Sequence, residues 1–316
     1  MSTPVFRRKL GLVVSAISVA LLAIALLSFF ALKTKIADVM CGFGERRFQE
    51  GQRDKALSDF NWAVRIDPKF SMAFSDRGMI WMLDGAYDAA IYDLDEAIRL
   101  DPSNSKAFNN RGLTRIYKGQ PDKALSDLNE SLRLNPRNAV TLGNRGLAWH
   151  SKGNLDRAFA DYDNAIRLDP SLAPNFDLRG LAWLVRSDYV RSVADFREAI
   201  RLDPSRSSAI SNLAWLEATC PNPQFRDGTK AVEHATRACE LSGWKTPNRL
   251  STLAAAYAET GDFQNAVKWM EKAIELDPSS TSRSTLELFK ARKPYRQDGS
   301  ATWMFFAPPG GSDLHF

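Results

Sequence analysis

The sequence predicts an all-α solenoid of about seven helix–turn–helix units, closed by a capping helix and preceded by one transmembrane helix. Three observations predict it. A 34-residue unit recurs along most of the chain, with proline closing each copy at Pro68, Pro102, Pro136, Pro170 and Pro204. Within each copy apolar residues fall at helical spacing in two runs separated by a turn signal. Ahead of the first copy, residues 10–32 form an uncharged apolar run.

The first nine residues carry Arg7, Arg8 and Lys9. The 23-residue run that follows would span about 34 Å as a helix, enough for a hydrocarbon core of about 30 Å. Ser15, Ser18 and Ser28 do not make a polar face, so a core helix is the weaker reading. The run exceeds the apolar stretch of a cleaved signal peptide and is followed by Lys33 and Lys35, which favours a retained anchor. A secreted or periplasmic soluble binder, released by cleavage, is the alternative. The flanking charges favour a short N-terminus inside and the body across the membrane. In a bacterial cell this means a single-pass inner-membrane protein with its solenoid on the periplasmic side.

Net charge is +5. Residues 1–36 carry five basic residues and no acid, so the remainder is neutral and gives no sign of a nucleic-acid partner.

The units run 37–70, 71–104, 105–138, 139–172, 173–206, 207–246 and 247–280. In the third, Gly119 can end the first helix in a left-handed cap and Pro121 can open the second. Asn135-Pro136 ends the second helix, because proline disfavours helix in the residue before it. Small residues recur in the second helix at Ala56, Ala90, Ala124, Ala158 and Ser192, with a large residue four later at Phe60, Leu94, Leu128, Tyr162 and Phe196. Gly44, Gly78, Gly112, Gly146 and Gly180 mark the first helices, and small residues facing each other let the two backbones approach.

This 34-residue pattern of Gly, Ala-x3-Phe and Pro resembles the tetratricopeptide repeat family. The resemblance covers about residues 37–278 and implies a right-handed superhelix whose first helices line a concave face. It also implies a scaffold or adaptor holding a protein or peptide segment, with no catalysis and no cofactor. By family position the groove residues include Met72, Met79, Met82, Lys106, Asn109, Asn110, Leu113, Ile116, Tyr117, Asn144, Leu147, His150, Asp177, Leu181 and Leu184. Asp76 and Leu113 stand where the family's clamp for acidic tails wants polar or basic groups, so apolar anchors are the expected mode.

One pattern departs from the family. Arg77, Arg111, Arg145 and Arg179 precede the first-helix glycines, and Asp59, Asp93, Asp127, Asp161 and Asp195 share the same period on the second helices. The spacing predicts a ladder of Arg–Asp pairs in units two to five, each pair within its own unit or shared with the one before.

The sixth unit is longer, and its extra residues 220–228 hold Pro221 and Pro223, which predicts an extended loop. Units six and seven, with Lys293-Pro294-Tyr295-Arg296 after them, resemble a terminal module of bacterial tetratricopeptide proteins. Residues 281–295 should cap the last unit, with Leu286 and Phe289 inward, and 296–316 reads as a disordered tail carrying the apolar cluster Trp303–Phe306. His150, His234 and His315 are isolated and the cysteines lack zinc spacing, so neither a catalytic nor a metal site is predicted.

Overall fold

The computed structural model describes residues 4–278 and 282–297, with side chains from 19 onward except 20 and 282. Among these residues every regular element is helical. Helix α1 (Pro4–Gln49) runs without a break from the apolar segment into the first unit and pairs with α2 (Arg53–Ile66). Unit two is α3 (Ser71–Leu83) and α4 (Tyr87–Leu100), and unit three is α5 (Ser105–Tyr117) and α6 (Pro121–Leu134). Unit four is α7 (Ala139–Ser151) and α8 (Leu155–Leu168), and unit five is α9 (Ala173–Val185) and α10 (Tyr189–Leu202). Units six and seven are α11 (Ser207–Thr219) with α12 (Gly228–Leu241), and α13 (Pro247–Glu259) with α14 (Phe263–Leu276). Helix α15 (Ser282–Lys290) caps the stack, burying Leu286 and Phe289.

The turns follow from the residues that form them. Gly119 has φ +69. The chain there turns back so that Gln120 N–H donates to the Arg115 carbonyl at 2.8 Å, satisfying a carbonyl at the end of α5. In unit five Ser187 takes the same conformation at φ 58, which strains a side-chain-bearing residue. Before each closing proline the cap residue is held off helical geometry, as at Asp101 (ψ 95) and Asp169 (ψ 95).

Each hairpin closes through the small-residue rows. A Cβ on Gly146 would lie 2.6 Å from Tyr162 Cε1, and one on Gly112 would lie 2.7 Å from Leu128 Cγ. Ala90, Ala124 and Ala158 are fully buried, and Ser192 satisfies its hydroxyl on the Gly180 carbonyl at 2.9 Å. Each first helix also touches the next first helix, which sets these helices on the inside of the curve.

Three segments differ from the sequence expectation. The loop after α11 contains a single 3₁₀ turn, Pro223–Phe225, tied back by Arg226 to the Cys220 and Pro221 carbonyls. The cap expected over 281–295 ends as a helix at Lys290, because the chain then turns onto the inner face. Arg296 and Gln297 consequently belong to the ordered body rather than to the tail, whose Trp303–Phe306 cluster lies outside the described residues.

The transmembrane helix expected over 10–32 is not supported here. Among the described residues no helix is long and apolar enough to cross a membrane. Residues 10–18 and 20 of that run fall outside those with described side chains. The rest of it is largely exposed: Leu21, Leu22, Ile24, Leu26, Leu27, Phe29, Phe30 and Leu32 are 48–69% exposed.

Candidate functional site: the concave groove

The ladder sets the register on which the groove is built. Arg77, Arg111, Arg145 and Arg179 each donate Nε and Nη2 to the aspartate 16 residues later, Asp93, Asp127, Asp161 and Asp195, at 2.7–3.1 Å. The third nitrogen, Nη1, reaches back 16 residues to Asn61, Asp95, Asn129 or Asp163. One guanidinium thus joins its own two helices and the second helix of the preceding unit, a use of the planar fork that a lysine cannot reproduce. In unit one Phe43 occupies the arginine's place, and Arg47, one turn later, takes Asp59 instead. Asp127 receives a second arginine, Arg115, at 2.6 Å. A second set of ion pairs ties the turns of successive units: Lys118–Asp88, Lys152–Asp122 and Arg186–Asp156.

The first helices present their inward residues in a narrow groove. Met82, Leu113, Ile116, Leu147, Leu181 and Leu184 are buried by neighbouring units. Asn109, Asn110, Asn144 and Asp177 are also buried and bond along the stack: Asn144 Nδ2 donates to Asn109 Oδ1 at 2.9 Å, and Asn109 Nδ2 to Asn110 Oδ1 at 3.2 Å. Asp177 accepts from Arg206, Ser208 and Asn212. Tyr117 is half-buried with its ring 6.2 Å from that of Tyr87, and burial raises its phenol pKa. Lys106 is exposed, with Nζ 2.8 Å from Asp76 Oδ1 and 3.7 Å from Glu45. Asp76 is fully buried, which pushes its carboxyl up from the ordinary range despite that lysine. The side chains a partner can reach include the second-place residues, Met72, 45% exposed, Lys106, and the half-buried Val140 and Pro174, together with the half-buried Met79 and Tyr117.

The polar row is interrupted between units four and five. Gly143 stands where unit three has Asn109, and Leu178 where units three and four have Asn110 and Asn144. A shallow depression of about 20 Å³, open to solvent, lies there, lined by Val140, Asn144, Leu172, Pro174, Asn175 and Leu178. The Asn175 amide rests against Gly143, where a Cβ would meet its Oδ1 at 2.1 Å. Asn175 Nδ2 is buried without a hydrogen-bond acceptor.

At the far end the groove is filled by the chain itself. Trp215, Ala218 and Thr219 continue the rows of Leu113, Ile116 and Tyr117. Residues 295–297, returning from α15, lie on them. The Tyr295 ring is 5.5 Å from that of Trp215, whose Nε1 donates to Gln297 Oε1 at 3.2 Å. Gln297 N–H donates to the Thr219 carbonyl at 3.0 Å, and Arg296 pairs with Glu259 at 2.6 Å. No groove position of the repeat pattern marks Tyr295, Arg296, Gln297 or Glu259, and Trp215 lies beyond the units whose groove residues the pattern names. The signal available was Trp215 at a groove-facing place, followed far along the chain by Pro294 ending a short helix.

His150 sits in the row of Met82, Ile116 and Leu184, and burial drives its pKa down to about 4. Between about 6.5, the pKa of an unfolded histidine, and about 4, the unfolded chain takes up a proton that the folded chain refuses. Stability from this residue therefore falls as pH falls through that window. His234 acts in the opposite sense: its hydrogen bond with Glu217 raises its pKa, so its contribution is present below about 6.5 and lost as pH rises through the raised value. Leucine suits the row at 150. Urea midpoints measured from pH 7 to pH 4 should fall less for His150→Leu than for the parent; parallel curves would show that His150 protonates freely.

A model described as tetratricopeptide repeat matches residues 41–105 and 109–173, and a second of the same description matches 247–280. Together they cover over half of the chain, which belongs to the tetratricopeptide repeat family. No curated protein matches the sequence significantly. Among solved structures, the APC/C hetero-tetramer Cut9–Hcn1 aligns with TM-score 0.68 at 16% identity, over 79% of this chain and 48% of that one. This chain thus spans about half the length of that structure. A tetratricopeptide repeat protein from Parabacteroides merdae aligns with TM-score 0.53 at 16% identity, over 82% of this chain and 98% of that one. At these identities the likeness defines the fold alone. Proteins of this repeat class generally mediate protein–protein interactions.

Proposed function

We propose that the chain is a non-catalytic adaptor, anchored through residues 10–32, that holds an extended segment of a protein partner in its inner groove. The observation that carries this reading is the chain's own segment 295–297, lying on groove-facing Trp215 and Thr219 through a ring contact, a side-chain bond and a backbone bond. A partner segment entering from the open end would meet Met72 and Lys106, then lie against Val140 and Pro174. The basic residues Arg7, Arg8 and Lys9 support a periplasmic solenoid on a bacterial inner membrane.

The test places a photo-crosslinking amino acid at Met72, Val140 or Pro174, and at the exposed Tyr92 and Val190 of the second helices, in tagged full-length protein in cells. The groove positions should give discrete protein adducts that the outer positions lack. The tag should sediment with membranes and become protease-sensitive once the outer barrier is opened. Adducts confined to Tyr92 and Val190 would move the binding surface to the outer face. A soluble tag would replace the anchored adaptor with a cleaved, released binder.

A further inference from the structure

Helix α1 is apolar on every face from Leu10 to Leu32. Past the proposed anchor its exposed apolar residues narrow to a stripe, Ile36, Val39 and Phe43, three and four residues apart, the spacing of a coiled-coil seam, and in the same register as Leu22, Ala25, Phe29 and Leu32. In the sequence the same register extends back through Ser18, Ser15 and Gly11. The part beyond Leu32 is decisive, because there the exposed residues face water. Ile36, Val39 and Phe43 are 41%, 55% and 44% exposed. They occupy a different face from Ala37, Cys41 and Gly44, which are buried against α2.

The later units show what this face is for. Val39 corresponds to Ala73, Ala107 and Thr141, each fully buried where its unit meets the one before. Phe43 corresponds to Arg77, Arg111, Arg145 and Arg179, whose Nη1 atoms reach the preceding unit. Unit one therefore offers the surface that elsewhere receives a neighbour, and offers it apolar. A terminal repeat that faces water usually presents a polar outer face.

We infer that a second copy of this chain covers the stripe, the two α1 helices pairing in parallel and in register. Lipid cannot reach far enough. At about 1.5 Å per residue, Val39 and Phe43 lie about 10 and about 16 Å beyond Leu32, whereas the headgroup layer adds only about 5–8 Å on each side. A parallel copy matches the stripe along its whole length, since each residue meets its own counterpart at the same height. In that register Lys35 of one copy stands opposite Met40 of the other, so no like charges meet. The pairing sets two grooves side by side on one stem. It does not depend on the anchor reading, because Val39 and Phe43 lie outside residues 10–32.

The test uses full-length protein with single cysteines at Val39 or Phe43 on the stripe and at Asp38 or Glu45 off it. The natural cysteines are buried, with the thiols of Cys41 and Cys239 pushed up to about 12, so the parent chain serves as the control. Mild oxidation should convert most of the Val39→Cys and Phe43→Cys protein into a disulfide-linked species of twice 35.3 kDa, and at least tenfold less of Asp38→Cys and Glu45→Cys. The double variant Val39→Glu/Phe43→Glu should cut co-purification of two differently tagged copies at least tenfold while leaving the far-ultraviolet circular dichroism of the folded chain unchanged. Equal cross-linking at all four positions, or none at 39 and 43, would overturn the pairing and leave another protein on the stripe. Sedimentation of the same samples with membranes reads the anchor separately, so either reading can fail without the other.

Discussion

Replacing Arg145 with leucine is expected to lower the unfolding free energy by about 3 kcal/mol, while Arg111→Leu in the preceding unit costs less than half of that. The two arginines have the same place, the same fork and nearly the same bonds. Arg145 holds Asp161 at 2.8 and 2.7 Å and Asn129 at 3.0 Å. The Asp161 side chain is only 6% exposed, so leucine would leave a buried carboxylate with its main counter-charge gone. Arg111 holds Asp127 in the same way, but Arg115 also donates to that carboxylate at 2.6 Å and stays when Arg111 is removed. Urea unfolding of the two variants beside the parent measures the difference. A double variant Arg145→Leu/Asp161→Leu should recover much of the loss, since the cost lies in the orphaned charge rather than in the missing pair. Equal losses at 111 and 145, or none at 145, would show that these carboxylates find water when their arginine is taken away.

That ladder also marks how far the sequence could be read. The 34-residue period of Pro68, Pro102, Pro136, Pro170 and Pro204 and the glycine and alanine rows define the hairpins, because each acts over one or two helical turns. The period of Arg77 and Asp93 announced a pairing, yet its partner choice turned on three nitrogens of one guanidinium pointing two ways across an interface. The groove residues were legible as positions and illegible as surfaces. Whether Leu113 or Asn144 meets solvent depends on the angle between successive hairpins, which no local pattern encodes. Gln297 lies 82 residues from the Trp215 indole it accepts from, and nothing in the residues around it marks that contact. Phe43 in the arginine's place was visible from the start; only the curve of the stack shows that it faces the missing neighbour.

Glu259→Gln is expected to loosen the C-terminal segment from the groove and to speed tryptic cleavage after Arg292 and Arg296 by about tenfold. Glu259 accepts from Arg226 Nε at 3.0 Å and pairs with Arg296 Nη2 at 2.6 Å, with its own side chain 14% exposed. Charge-assisted contacts of this kind contribute about 1.5–3 kcal/mol each, and the neutral amide keeps only part of either. Only the Arg296 contact is lost on release, since Arg226 holds residue 259 in either state; a loss of about 1.5 kcal/mol from the docked state raises the open population about tenfold, and cleavage follows that population when closing outpaces the protease. Trp215 reports the same event independently, because its indole loses both the Gln297 acceptor and the Tyr295 ring. The groove rows at Trp215, Ala218 and Thr219 then stand open, so a partner segment that uses this end should bind the variant more tightly than the parent. If the variant is cut no faster and the Trp215 fluorescence is unchanged, Tyr295 and Gln297 alone hold the segment, and the inner groove ends permanently at unit five.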